Sequence, residues 1–266
     1  MNGSLLCVTG TDTDVGKTVV TACLAATALT AGDRVAVYKP TQTGVGPDEP
    51  GDVDTIAVLL GYPDRLTVAE GVRMGPAMAP VDAALESGGT AAAAALPGRN
   101  WHLDRIAALQ ADHETVLVEG AGGLLVQLTP DGATIADLAL EADAALAVVT
   151  RPDLGTLNHT GLTLEAIRQR RVHPGPLIIG SWPAQPTAVH RTNLHRLREA
   201  ATEYRHPWGG ALPAALDTTT VESMYRAAAG LTGTLSAAEG FLQAPSIDPG
   251  SHPAPATRSS RLPLFG

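Results

Sequence analysis

The residues best suited to chemistry lie at 10–18: Gly10-Thr11-Asp12-Thr13-Asp14-Val15-Gly16-Lys17-Thr18. A glycine-flanked loop of this kind turns its backbone N–H groups inward. Together with the amino end of the following helix, they bind phosphate oxygens. A lysine at the end of such a loop reaches the β- and γ-phosphates, and the next hydroxyl binds magnesium; those roles fall to Lys17 and Thr18. The spacing is unusual. Five residues separate Gly10 from Gly16 where four are customary, and Thr11 stands where glycine is common. Asp12 and Asp14 bring negative charge to an anion-binding loop, with no role that the sequence explains. The competing reading is a plain strand-to-helix turn.

The elements around this loop must position it. The apolar run 4–10 (SLLCVTG) reads as a buried strand, and 17–31 as a helix stopped at Gly32. Further strands are expected at 34–39 (ended by Pro40), 115–119, 145–149 and 176–179, with a short one at 209–212. Helices are expected at 52–60, 80–87, 104–110, 156–169, 187–201 and 221–228, and the alanine-rich 90–95 reads as a surface loop or helix. Strands alternating with helices imply an α/β fold, a P-loop NTPase-like parallel sheet with helices on both faces. Ligands in such sheets sit at the carboxyl ends of the strands. Four loops converge there: 10–18, 39–44, 119–123 and 151–158. Residues 1–243 read as one domain, and the Pro- and Ser-containing 244–266 as a disordered tail.

Composition narrows the function classes. Hydrophobic residues make up 44% of the 266, enough for a sizeable core, but aromatics are only 3%, so that core must be aliphatic. Few aromatic faces and a formal net charge of −9 argue against nucleic-acid partners. Two cysteines, Cys7 and Cys23, make no disulfide framework and read as buried thiols. With no leader-like start and no long apolar span, the reading is a cytoplasmic protein without a membrane segment. The eight histidines show no metal-ligand spacing and read as structural or solvated.

Four segments then resemble one family in family order over roughly residues 4–215. Residues 10–18 resemble the G-T-D-T-x-V-G-K-T loop of dethiobiotin synthetases, which has the same extra residue. Tyr38-Lys39-Pro40-Thr41-Gln42-Thr43-Gly44 resembles the family's Y-K-P-x-x-[ST]-G, and 118–123 its V-E-G-A-G-G. Leu154-Gly155-Thr156-Leu157-Asn158-His159 resembles its L-G-T-[LI]-N-H. The resemblance implies that ATP drives carboxylation and ring closure of 7,8-diaminononanoate with CO2 or bicarbonate, releasing dethiobiotin, ADP and phosphate.

It also implies residue roles. Lys17 and Lys39 are the catalytic cations, from different loops. The nucleotide falls to Thr13, Asp14, Val15, Gly16, Lys17, Thr18, Asp54, Glu119, Gly120, Ala121 and Gly122, with backbone at Gly180 and Pro213 near the base. Substrate contacts fall to Thr43, Gly122, Gly123, Leu157 and Asn158, the last two across a homodimer with shared sites. Magnesium falls to Thr18, Asp54 and Glu119. A carboxylate ending an apolar strand, as Glu119 does, is costly unless paired, and a cation resolves that cost. Asp54 has an alternative as a helix cap beside Asp52, Asp48 and Glu49, and Asn158 likewise reads as a cap or a ligand. The stretch 78–82 resembles a family segment near the diamine but equally reads as a Pro-led helix start.

Two rival readings are a related P-loop amide-forming ligase and a nucleotide-dependent switch. The former usually carries a glutaminase domain with a Cys nucleophile, for which this chain has neither the length nor a third cysteine. The partitioning type of switch needs a lysine early in the loop, where Asp12 stands. Thr150-Arg151-Pro152-Asp153 is only a distant echo of the guanine-reading T-K-x-D. One departure from the family concerns the base. The segment 179–185 (IGSWPAQ) has no asparagine where many members carry one to read it. Relaxed base selectivity is therefore predicted: turnover with GTP and CTP should be comparable to that with ATP, and strict ATP dependence would reject this.

Overall fold

The computed structural model describes residues 4–231. Seven strands form a single sheet: β1 (Ser4–Gly10), β2 (Val35–Thr43), β3 (Leu66–Met74), β4 (Thr115–Gly123), β5 (Ala145–Thr150), β6 (His173–Trp182) and β7 (Trp208–Pro213). Their order is β3-β2-β4-β1-β5-β6-β7 and every pairing is parallel. Eight helices accompany them among the described residues: α1 (Lys17–Ala31), α2 (Asp52–Leu60), α3 (Pro80–Ala94), α4 (Arg99–Asp112), α5 (Ile135–Glu141), α6 (Thr156–Arg170), α7 (Ala188–Glu203) and α8 (Val221–Ala229). The tail expected at 244–266 lies outside the described residues, as does the end of the expected domain from 232.

The period-two alternation of the strands sorts two cores. Leu6, Val8, Val35 and Val37 face α1, α2 and α8. Leu5, Cys7, Ala36 and Tyr38 face α4, α5, α6 and α7. Both sheet faces are covered, so the central strands are buried on both sides, as a parallel sheet requires. Cys7 and Cys23 are free and buried, and burial pushes both thiols up to about 12. His102 and His206 are structural: His102 Nδ1 meets the Tyr38 hydroxyl at 2.7 Å and His206 Nδ1 meets the Gly175 carbonyl at 2.7 Å. Burial lowers both imidazoles to about 4, so each is neutral at pH 7.

Several elements differ from the sequence expectation. Strand β2 does not end at Pro40 but continues to Thr43. Proline lacks a ladder donor, and it is tolerated because the pairing of β2 with β4 has already ended at Tyr38↔Val118. Strand β3 and helix α5 are additional elements. The edge strand β3 is mostly half-buried and carries Glu70, Gly71 and Arg73, which dilute any alternation. Helix α5 has only seven residues. Helix α3 runs past Ser87 through a break at Gly88 and Gly89 to Ala94, so the alanine run is helical. Pro80 is its first residue, which favours the helix-start reading of 78–82.

The centre of the sheet carries the loop of interest. It connects β1 to α1, and its backbone rests on β6. A Cβ at Gly180 would lie 2.0 Å from the Val15 carbonyl oxygen and 2.8 Å from Val149 Cγ1, and one at Gly16 would lie 3.0 Å from the Gly180 carbonyl oxygen. Gly16 has φ +93°, a conformation open to glycine. Only a residue without a side chain fits at 180. Gly180→Ala is expected to lower unfolding free energy by about 1–3 kcal/mol, as overpacking does. Urea denaturation checks this, and an unchanged midpoint would refute the close packing.

Candidate active site

The loop folds over the amino end of α1. Asp14 takes a left-handed backbone, φ 56°, and Gly16 caps the helix in the same region. No acidic residue occupies the first turn of α1 itself. Lys17 is buried and donates from Nζ to the Asp12 carbonyl at 3.3 Å, lying back across the loop it serves. Asp12 gains a structural account here. Its Oδ1 accepts from Thr13 N at 2.8 Å, and its Oδ2 pairs with Arg151 at 2.8 Å. The acid thus turns the loop and ties it to the end of β5. One of its oxygens therefore occupies a loop N–H, that of Thr13, and the other is taken by Arg151.

Below the loop two strands and the start of a helix, β2, β4 and α2, bring charges together. Lys39, 3% exposed in the middle of β2, places Nζ 3.0 Å from Glu119 Oε1, 3.1 Å from the Gly120 carbonyl and 2.5 Å from Asp52 Oδ2. Burial works against its charge, but Glu119 and Asp52 outweigh burial and hold the ammonium above the usual lysine pKa. For Lys17, burial and then the Lys39 charge prevail and lower the pKa. Glu119, 1% exposed, also accepts from the Thr18 hydroxyl at 3.0 Å through Oε1. Its Oε2 is buried with no hydrogen-bond partner. An unsatisfied buried acceptor costs about 1–3 kcal/mol, and more when charged.

The Glu119 carboxylate, with one oxygen orphaned, the Thr18 hydroxyl and the Asp52 carboxylate supply an oxygen-only donor set. Among the described residues there is no cluster of three or more His, Cys, Asp or Glu side chains that could hold a metal. Two carboxylates and a hydroxyl suit an ion that keeps waters and takes phosphate oxygens as its other ligands, as Mg2+ does.

These groups line one cleft of about 400 Å³. Of the residues expected at the site, Thr13, Asp14, Gly16, Lys17, Thr18, Lys39, Thr43, Glu119, Ala121 and Gly122 line it. Val15 is buried beneath the loop. Gly120 contributes its carbonyl to Lys39, and Gly123 pairs with Gly10 across the sheet. Gly180 packs under the loop rather than lining the cleft. Pro213 is exposed at the end of β7, opposite Trp182. Leu157 and Asn158 are exposed on the first turn of α6 and do not line this chain's cleft. Asn158 is not the cap of that helix, since Gly155 holds the position.

Asp54 is corrected. Its Oδ2 accepts from Gly51 N at 2.8 Å and pairs with Arg73 at 3.2 Å, and the residue does not line the cleft. The cleft acid is Asp52. A signal for this exists in the Gly51-Asp52-Val53-Asp54 string. An acid at the third helical position reaches back to the cap N–H, which engages Asp54 and leaves Asp52 free. Thr41 and Gln42 also line the cleft and were not singled out in the sequence.

A family model described as an AAA domain matches residues 5–221. The ATP-dependent dethiobiotin synthetase BioD of Parafrankia sp. (strain EAN1pec) is 47% identical over 213 residues, 79% of this chain and 84% of that protein. The protein of that name from Streptomyces coelicolor is 46% identical over 211 residues, 79% and 84% of the two chains. That of Mycobacterium sp. (strain KMS) is 47% identical, covering 79% and 88%. Among solved structures, the cell division ATPase MinD of Pyrococcus furiosus superposes with a TM-score of 0.51 at 15% identity, over 90% of this chain and 95% of that one, a likeness of fold alone. A phosphate loop set in this sheet, and carried by a chain nearly half identical to these relatives along most of their length, leads to one assignment: the chain belongs to the ATP-dependent dethiobiotin synthetase family.

Proposed function

We propose that this chain is an ATP-dependent dethiobiotin synthase, a ligase of biotin biosynthesis. Its substrates are 7,8-diaminononanoate, CO2 and ATP, and its products dethiobiotin, ADP and phosphate. The observation that carries the reading is the meeting of Lys17 and Lys39, from separate loops, beside the Thr18–Glu119–Asp52 oxygen set in one cleft. That is equipment for phosphoryl transfer, where catalysis is mostly positioning and charge stabilisation.

In the proposed reaction one amine of the substrate takes up CO2 as a carbamate. The carbamate oxygen attacks the γ-phosphorus and ADP leaves, giving a carbamic-phosphoric anhydride. The second amine attacks its carbonyl and expels phosphate, closing the ring. The loop amides and Lys17 hold the triphosphate, and Lys39, charged at neutral pH, faces the charge that builds on the transferring group. Thr43 and the backbone at Gly122 and Gly123 orient the carbamate and carboxylate ends of the substrate. Mg2+, held by Thr18, Asp52 and Glu119, neutralises phosphate charge when bound.

A homodimer completes the reading. Leu154 is 88% exposed, and with Leu157 and Asn158 it leaves the amino end of α6 free to meet a partner's substrate carboxylate. Among the described residues no helix is long and apolar enough to cross a membrane.

The deciding assay follows phosphate release from ATP with magnesium and bicarbonate, with and without 7,8-diaminononanoate, alongside mass detection of dethiobiotin. Diamine-dependent release with matching dethiobiotin is expected; release indifferent to the diamine would end the assignment. A second experiment separates the two acids of α2. Asp52→Asn should lower turnover about tenfold to a hundredfold, as weakening the hold on a bound cation does. Asp54→Asn should retain most activity. Equal losses would return Asp54 to the cation site.

A further inference from the structure

Strand β3 contributes no residue to the cleft, yet its carboxyl half carries an arginine with partners on several sides. Arg73 Nε and Nη2 form a two-pronged pair with Glu70 at 2.7 and 2.9 Å. Nη2 also reaches Asp54 at 3.2 Å. Nη1 donates to the Gly46 carbonyl at 3.3 Å and to the Glu49 carbonyl. One planar group thus fastens the loop between β2 and α2 to the edge of the sheet.

Opposite Arg73 in the β2–β3 register stands Gln42. Its side-chain oxygen accepts from Asp52 N at 2.8 Å, and its nitrogen donates to the Thr43 carbonyl at 3.1 Å. The three side chains close on the residue just before Asp52. A Cβ on Gly51 would lie 2.9 Å from Glu70 Oε2, 3.0 Å from Arg73 Nη2 and 3.1 Å from Gln42 Oε1. Gly51 is therefore held on every side, and Asp52 leaves it with its carboxylate already against Lys39.

We propose that Glu70 and Arg73 are positioning residues for the cation site: by clamping the segment that ends in Gly51 they fix where the Asp52 carboxylate stands, and so set the affinity for magnesium without touching nucleotide or metal. The inference rests on the ATP–magnesium reading of the cleft. Exposed ion pairs ordinarily contribute little. A forked arginine with several fixed partners is different, because its geometry transmits position as well as charge. Groups that orient a metal's ligands typically change its affinity by about 10- to 100-fold when removed.

The test is calorimetric titration of ATP into the full-length chain, in EDTA and at graded magnesium concentrations. In Arg73→Met the magnesium concentration that gives half the gain in ATP affinity should rise about tenfold, while affinity in EDTA stays within about twofold of wild type. Arg73→Lys should fall between, since it keeps the charge and loses the fork. Arg34→Met serves as control. It cuts a similar two-pronged pair with Glu114, next to the first residues of β2 and β4, and should leave the midpoint unchanged. An unshifted midpoint in Arg73→Met, or equal losses in EDTA and magnesium, would overturn the proposal. If Arg73→Met does not fold, an unshifted midpoint in Arg73→Lys does so. Dethiobiotin formation by the wild type, measured in parallel, separates the readings. Its absence with the magnesium shift intact would sink the substrate assignment and leave the clamp.

Discussion

A single buried ammonium organises the centre of this molecule. Lys39 lies between Glu119 and Asp52 and holds the middle of β2, the middle of β4 and the start of α2 to one point. Ions taken out of water carry a penalty of several kcal/mol each, which mutual attraction offsets only when the geometry is good. Here it is incomplete, since one oxygen of Glu119 has no partner. An apolar trio in these positions would be no less stable and would be inert. The arrangement makes sense as a site whose charge balance is finished by ligands, with Thr18 already turned toward the same carboxylate.

Much of this was legible in the sequence because the informative residues are locally encoded. The loop at 10–18, the strand that precedes it and the helix that follows declare themselves by type and spacing, and so do Lys39 and Glu119 at the ends of apolar runs. What was not legible depends on neighbours that are distant along the chain. The assignment of Asp52 over Asp54 turns on Arg73 and on which acid the Gly51 N–H engages. Asp12 looked misplaced in an anion loop until Arg151 was found beside it. Strand β3 escaped notice because an edge strand with mixed burial shows no clean alternation. The part of Gly180 as the floor of the phosphate loop likewise depends on a strand far along the chain.

The fold and the chemistry carry different amounts of information. The sheet is shared with a cell division ATPase at 15% identity, so architecture alone would not separate a ligase from a switch. The separation comes from the particular residues around the loop. Lys39 and Glu119 pair within the core beside the residues of the phosphate loop, and Asp12, where the partitioning type of switch places a lysine, is engaged by an arginine of the same chain.

The support of residues 15–16 by Gly180 also orders events during folding. The segment that must bind phosphate is made early, but the surface it rests on belongs to the sixth strand, more than 160 residues later. At ribosomal speeds of about 5–20 residues per second, that separation amounts to roughly ten to thirty seconds. Such long-range closures are slow steps in parallel sheets. Until the ribosome has made β6, the backbone of Val15 and Gly16 lacks the floor on which it rests in the finished domain.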